Sequence, residues 1–405
     1  MKIPFYDGKK HVELDTSPID VLHIHGEESL PNLTLAEVDE KIRDGLENPL
    51  EFAPLRECIM VGDQVVLPIA PGIPQGERIV RQVVDYLENL PPEHQPGKIT
   101  LLQPYAGMLS PISGGKVEVE IVTHNPEKKE HFALLGVDST GESLVLHRLL
   151  FDADVIFPIG VFQPADTTGY YGIHTPIYPL FSDAQTQRRY RFFGRQLHET
   201  QHEQMHQLQH EVAEVTRQSG VTLMLQVVPG IPMRGNSGVA GIFVGEYRQV
   251  LRDGYSLYRD LWTLLEERQP EVVLATITSE SSPQEWENIS RALVNASRRL
   301  EPGGVILLCA DFPASWPISL EIYRNSQDVP TAVRAIHRQE SPDAQFILDI
   351  LPILRDYRIF FWQPEEAERW EEMNITPLEN LEELYRLLRH SGTCLVLPDA
   401  HRMIL

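Results

Sequence analysis

The 405-residue chain has only three cysteines, Cys58, Cys309 and Cys394, and no two of them form a C-x-x-C pair. That argues against a cysteine-built zinc site, and so sparse and odd a count fits a reducing compartment. Positive charge is scarce as well: 35 Lys and Arg stand against 58 Asp and Glu, for a net charge of −23. The chain therefore lacks the basic stripes that phosphate backbones require, and nothing draws it to an anionic membrane surface. No apolar run approaches the roughly 18 residues of a membrane span. The opening Met1-Lys2-Ile3-Pro4-Phe5 holds no apolar core of a secretion signal, so a cytoplasmic protein is expected. These absences remove nucleic acid and membrane as partners and leave a small molecule. They say nothing of oligomeric state.

What is present reads as an ordinary globular protein, 42% apolar and 23% charged, long enough for two or three domains. Short apolar runs alternate with helical patterns, the signature of parallel sheets with crossover helices, so the fold class is α/β. A helix is predicted from Thr34, where Glu37 completes a capping box, with Leu35, Val38, Ile42 and Leu46 on one face. A second carries Ile79, Val80, Val83, Val84 and Leu87. A third runs from Gln196 to Gln218, with Gly220 as its left-handed terminator, and a fourth from Trp286 to Leu300. Strands are predicted at 65–67, 99–102, 117–121, 155–157, 222–228, 272–275, 305–308, 358–362 and 393–397. A domain boundary near residue 220 divides the chain into 1–220 and 221–405.

Several segments, in order, resemble the nickel-dependent lactate racemase family. They are Pro4-Phe5-Tyr6-Asp7-Gly8, Leu46-Glu47-Asn48-Pro49, Gly62-Asp63-Gln64-Val65-Val66, Ala153 to Gly160, Gly241 to Gly245, Pro302-Gly303-Gly304-Val305-Ile306 and Leu397-Pro398-Asp399. No single match is specific; their order along nearly the whole chain carries the resemblance. It implies two Rossmann-like α/β domains facing a shared cleft. In active members a nickel-pincer nucleotide takes a hydride from a 2-hydroxy acid and returns it to the opposite face. Two bases, a carboxylate-binding Arg, a tethering Lys and a nickel-binding His complete the site.

Against that pattern this chain departs at each motif. Where the family has Asp-His-Thr-Arg-Pro stands Pro68-Ile69-Ala70-Pro71-Gly72-Ile73-Pro74, and where it has Gly-Phe-His-Arg the chain reads Gln103-Pro104-Tyr105-Ala106-Gly107. Aligned without gaps, Ala165 takes the place of a catalytic His, Thr175 that of the tethering Lys, and Arg191 that of the nickel-binding His. A family Gln and Lys fall near Arg291 and Val294. No lysine occurs between Gly160 and Arg217. The nickel-pincer nucleotide is thus the family cofactor, yet none is expected here. Two readings stay open. One is a pseudoenzyme that binds a small hydroxy acid or related anionic metabolite. The other is an active racemase or epimerase of a 2-hydroxy acid or sugar acid with rebuilt catalytic residues.

Gly72 in the first remodelled loop, and Asp166, Tyr170, Tyr171 and His174 in the loop where the family cofactor lies, are the candidate ligand-binding residues; loops carry chemistry more often than cores do. Packing of the tyrosines and a structural hydrogen bond from His174 explain the second group equally well. His198, His202, His206 and His210 recur every four residues. Each step of four drifts about 40° around a helix, so neighbouring pairs could share a metal but all four could not, and a solvated helix flank is the favoured reading. Arg188, Arg189, Arg191 and Arg195 either face an anionic ligand or pair with local carboxylates. The segment Leu300 to Leu307 is similar to a late strand of S-adenosylmethionine methyltransferases, but the glycine-rich first turn of such enzymes is missing. All three cysteines are expected to be buried and inert.

Overall fold

The computed structural model describes residues 2–6, 11–15, 20–26, 32–112, 114–137, 141, 143–163, 172–193, 201–232, 238–278, 286–312, 316–339, 343–389 and 392–404, with side chains except at 2–6, 11–15, 191–193, 201–209 and 345. The chain divides into two compact units: Pro31–Gly230 with Asn236–Asp260, and Met1–Leu30 with Ile231–Gly235 and Leu261–Leu405.

In the first unit the strands Glu118–Thr123, Lys98–Gln103, Gln64–Pro68 and Val155–Ile156 lie side by side in that order, all parallel. Pro158 has no N–H to donate and interrupts the last of them. The run resumes as Ile159–Val161, pairs in parallel with Met224–Pro229, and that strand pairs antiparallel with Val239–Gly245. A bridge between Ile69 and Ile159, with the Ala70 amide donating to the Ile159 carbonyl at 2.9 Å, joins the two halves. Val65, Leu67, Ile99 and Leu101 are all fully buried, the continuous apolar pattern of strands covered on both faces.

The helix Leu35–Glu47 starts on the expected capping box. The Glu37 amide donates to Thr34 Oγ1 at 3.3 Å, and the Thr34 amide to Glu37 Oε2 at 2.7 Å. Val38, Ile42 and Leu46 are buried, but Leu35 is exposed, because it sits in the first turn, before the helix meets its neighbours. The helix Gly76–Glu88 buries all five residues expected of it. The helix Gln201–Gln218 ends as expected before Gly220, whose φ is +81°; residues 196–200 of the predicted helix lie outside the described residues.

The second unit carries a six-stranded, wholly parallel sheet in the order Ile375–Leu378, Arg358–Trp362, Val305–Cys309, Val272–Thr276, Thr393–Leu397, Asp20–Ile24. The helix Trp286–Ser297 links the third and fourth strands of that order and stops three residues short of the predicted Leu300. Strand pairing also draws the units differently from a single cut at 220. Met224–Pro229 and Val239–Gly245 complete the first sheet, while Asp20–Ile24 joins the second, so the chain crosses between units more than once. Of the cysteines, Cys309 and Cys394 are buried, and burial pushes the Cys394 thiol up to about 12. Cys58 is only half-buried, contrary to expectation, because it ends a short 3-10 turn that runs along the surface.

Candidate functional site

Ligands of open α/β sheets bind beyond the carboxyl ends of the strands. In the first unit those ends are Pro68, Gln103, Thr123, Val161 and Pro229. Gly72 follows the first of them with φ +71°, a conformation that glycine adopts without steric cost. A Cβ placed there would stand 3.8 Å from Gln163 Nε2, so the Gly72 loop meets the segment that leads into residues 164–171. The next loop is drawn close by another glycine. A Cβ on Gly160 would lie 2.4 Å from Gln226 Nε2 and 2.6 Å from Pro176 Cγ. With hydrogen there instead, Gln226 donates to the Ile173 carbonyl at 3.0 Å and pins the turn that carries His174.

His174 is 5% exposed, its ring centre 5.0 Å from that of Tyr247, and its Nδ1 has no hydrogen-bond partner. Burial pushes its pKa down to about 4, so at neutral pH it is an uncharged imidazole that can accept or donate a proton. Thr175 is committed elsewhere: its hydroxyl accepts from the Gly172 amide at 2.9 Å. Asp166, Tyr170 and Tyr171 lie outside the described residues, so of the five candidate ligand residues the structure places Gly72 and His174.

The second unit has its own switch point. Val272–Thr276 is flanked by Val305–Cys309 on one side and Thr393–Leu397 on the other, so the strand order reverses there. Just beyond, Asp399 Oδ1 accepts from both the amide and the hydroxyl of Thr278, each at 2.6 Å, and Arg402 Nε lies 3.5 Å from Oδ2. Burial raises the Asp399 pKa, although Arg402 and Thr278 pull it the other way. His401, between Arg402 and Arg291, is held neutral by burial and by both guanidinium charges. Asn295 donates to the Ala400 and Met403 carbonyls at 2.8 and 3.2 Å, fastening this turn to the helix Trp286–Ser297. Thr278, His401 and Arg402 belong to no motif visible in the sequence; a Pro-Asp pair directly after a buried strand is the available signal.

The side chains of His198, His202 and His206 lie outside the described residues. His202, His206 and His210 ride the helix Gln201–Gln218, His210 exposed, while His198 lies outside the described residues. Among the described residues no three His, Cys, Asp or Glu side chains could hold a metal ion. The helix anchors itself through fully buried Val212 and Val215 instead. Replacing His198, His202, His206 and His210 together by Gln is therefore expected to move the melting temperature by no more than a few degrees, as for surface changes. A nickel- or zinc-dependent rise in melting temperature that the four substitutions abolish would sink that expectation. The basic cluster is also locally satisfied where it is described. Arg188 pairs with Glu127 at 3.3 Å, and Arg189 pairs with Glu211 and donates to the Tyr178 hydroxyl at 3.3 Å.

No protein-family model and no curated protein matches the chain. Solved structures do. The lactate racemase apoprotein from Thermoanaerobacterium thermosaccharolyticum superposes with a TM-score of 0.75 over 100% of this chain and 99% of its own, at 16% identity. The chain has that fold. A protein from Thermotoga maritima superposes with a TM-score of 0.64 over 91% of this chain and 98% of its own, at 13% identity. At such identities the likeness speaks for architecture alone. No helix among the described residues is long and apolar enough to cross a membrane.

Threonine stands at position 175, where the resemblance places the lysine that tethers the family cofactor. The chain has eight lysines, and none follows Lys129. Lys98 stands at the amino end of its strand, between Glu118 and Glu120 at 3.3 and 2.7 Å, away from the carboxyl edge.

Proposed function

We propose that this chain is a catalytically divergent protein of the lactate racemase fold that binds a small hydroxy acid or related anionic metabolite without nickel-pincer racemisation. The observation that carries this reading is the carboxyl edge of the first unit. Its loops remain drawn together through Gly72, Gln163, Gly160 and Gln226, while the tethering position holds a threonine whose hydroxyl closes a local turn. A ligand bound at 100 times its dissociation constant stabilises a fold by about 2.7 kcal/mol. A panel of 2-hydroxy acids and sugar acids is therefore expected to contain a member that raises the melting temperature by a few degrees, and less so in Gly72→Val. No shift from any member would overturn the binding reading.

A second reading, an epimerase with rebuilt residues, is favoured by one feature: the neutral, buried His174 with a free ring nitrogen. It predicts exchange of the ligand's carbon-bound hydrogen in deuterated water, lost in His174→Gln. The absence of exchange from a ligand that does bind would leave the binding protein standing and the epimerase not.

A further inference from the structure

Three histidines that neither the sequence analysis nor the proposed function uses meet inside the first unit. His124 follows the strand Glu118–Thr123. His131 ends a 3-10 turn, and His147 ends the hairpin of Phe132–Val137 and Ser143–His147. The His147 ring lies 5.6 Å from that of His124 and 5.5 Å from that of His131. Phe181 packs edge-on against His124 at 5.4 Å, and Phe132 packs against both His124 and His147. His124 and His147 are 6% and 3% exposed. Each ring of the three keeps one buried nitrogen without a hydrogen-bond partner: Nδ1 of His124, Nδ1 of His131, Nε2 of His147.

The other contacts of these residues run to one place. His124 Nε2 donates to the Ser182 carbonyl at 3.0 Å. The His147 amide donates to the Phe181 carbonyl at 2.8 Å. Gln187, on the helix Ala184–Phe193, donates to the Leu180 carbonyl at 2.7 Å and reaches His124 Nε2 at 3.2 Å. The segment so held, 172–187, begins with the turn that carries His174.

We propose that the row His124–His147–His131 is an acid-sensitive latch that fastens segment 172–187 to the sheet and releases it on protonation. A proton on either buried ring places a charge among aromatic rings and next to two further imidazoles. The nearby charged groups do not offset it. Glu127 is paired with Arg188, the Asp183 carboxylate accepts from the Thr186 amide at 2.9 Å, and Arg148 donates to the Phe132 carbonyl. Lys128, Lys129 and Glu130 flank His131 on its own turn, and Asp152 ends the helix after His147. Burial pushes His124 and His147 down to about 4; at His124 the Ser182 carbonyl pulls the other way and His131 adds to burial, and at His147 both other imidazoles add to it. The sign follows. An unfolded or released histidine takes its proton near 6.5, the latched one near 4, so the latch is fully effective above 6.5 and is lost as pH falls from 6.5 through 4.

The test uses two near-isosteric changes. Gln at 124 keeps a donor where Nε2 stands, and Asn at 147 keeps an acceptor for the Leu149 amide that His147 Nδ1 now receives at 3.3 Å. Neither can be protonated. Amide exchange of the full chain, corrected for intrinsic rates, should show protection across 174–187 falling at least tenfold from pH 7.5 to 4.5. Protection of the strand Val272–Thr276 should stay within twofold, and in His124→Gln/His147→Asn segment 174–187 should not respond. An equal fall in the double variant, or no fall in the unmodified chain, overturns the latch. If the double variant loses protection already at pH 7.5, nitrogen-15 spectra of the histidine rings in the unmodified chain decide. Rings of His124 and His147 that titrate near 6.5 with segment 174–187 still protected overturn it, and rings that titrate below 5.5 together with loss of protection support it. Ligand binding plays no part in these readouts, so the latch stands or falls apart from the proposed function.

Discussion

Co-expressed with the proteins that build a nickel-pincer cofactor, this chain is expected to gain no cofactor-sized mass and to leave D- and L-lactate unconverted. The missing parts act separately. A covalent tether needs an amine, and no lysine follows Lys129 anywhere in the sequence. Proton transfer needs a base on each face of the substrate, and loss of one general base typically costs about 10²–10⁴ in rate. Here Tyr105-Ala106 and Ala165 stand where the resemblance places imidazoles. Of the candidate ligand residues that the structure describes, His174 alone is an imidazole, and one base serves one face only. The segment where the family carries its carboxylate-binding Arg is Pro68 to Pro74, without a cation. Intact-mass spectrometry, nickel analysis and chiral assay of lactate check the three parts independently. A mass increment with racemisation above background would refute the divergent-site reading outright. An increment without racemisation would show that the cofactor is held by other residues and would leave only the loss of the bases standing.

Burial periodicity made most of the fold legible. The predicted strands from 65–67 to 393–397 all reappear, because strands covered on both faces leave unbroken runs of Val, Ile and Leu. The helices Leu35–Glu47 and Gly76–Glu88 announced themselves through a capping box and an apolar stripe. Pairing was less legible. Nothing local in Asp20–Ile24 says that it lies beside Thr393–Leu397, nearly four hundred residues onward, and a single boundary inferred from chain order leaves that strand in the other half. The histidines invert the usual weighting. The four at regular spacing drew attention because a repeat is visible in one dimension. The three that meet in the core, His124, His131 and His147, are brought together by a strand end, a turn and a hairpin, and no spacing encodes that. Gly160 was legible only as a strand residue; its reason is the approach of Pro176 and Gln226, which needs the third dimension.

The largest expected loss of stability from a single substitution at either strand edge is at Asp399. Replaced by Ala, it leaves the Thr278 amide and hydroxyl without their acceptor and Arg402, 8% exposed, without the carboxylate beside it. Removing one partner of a buried pair costs about 3–5 kcal/mol. Asp399→Asn should cost less, for two reasons. Its amide oxygen can still accept from Thr278, and asparagine tolerates the left-handed backbone of this position, φ +47°. The pH dependence separates charge from hydrogen bonding. Burial raises the pKa of Asp399, so the folded state holds that proton to higher pH than the unfolded state does. Stability then falls as pH rises through the window that opens at the ordinary value of 3.8 and closes at the raised one. Asparagine has no such window. Across it, the unmodified chain should lose stability relative to Asp399→Asn, a difference in which the histidines common to both cancel. Denaturant unfolding of the three proteins at several pH values measures this. If Asp399→Ala and Asp399→Asn were equally stable, the Thr278 bonds would carry no weight. If the unmodified chain instead gained on Asp399→Asn with rising pH, the ion pair with Arg402 would outweigh desolvation at this turn.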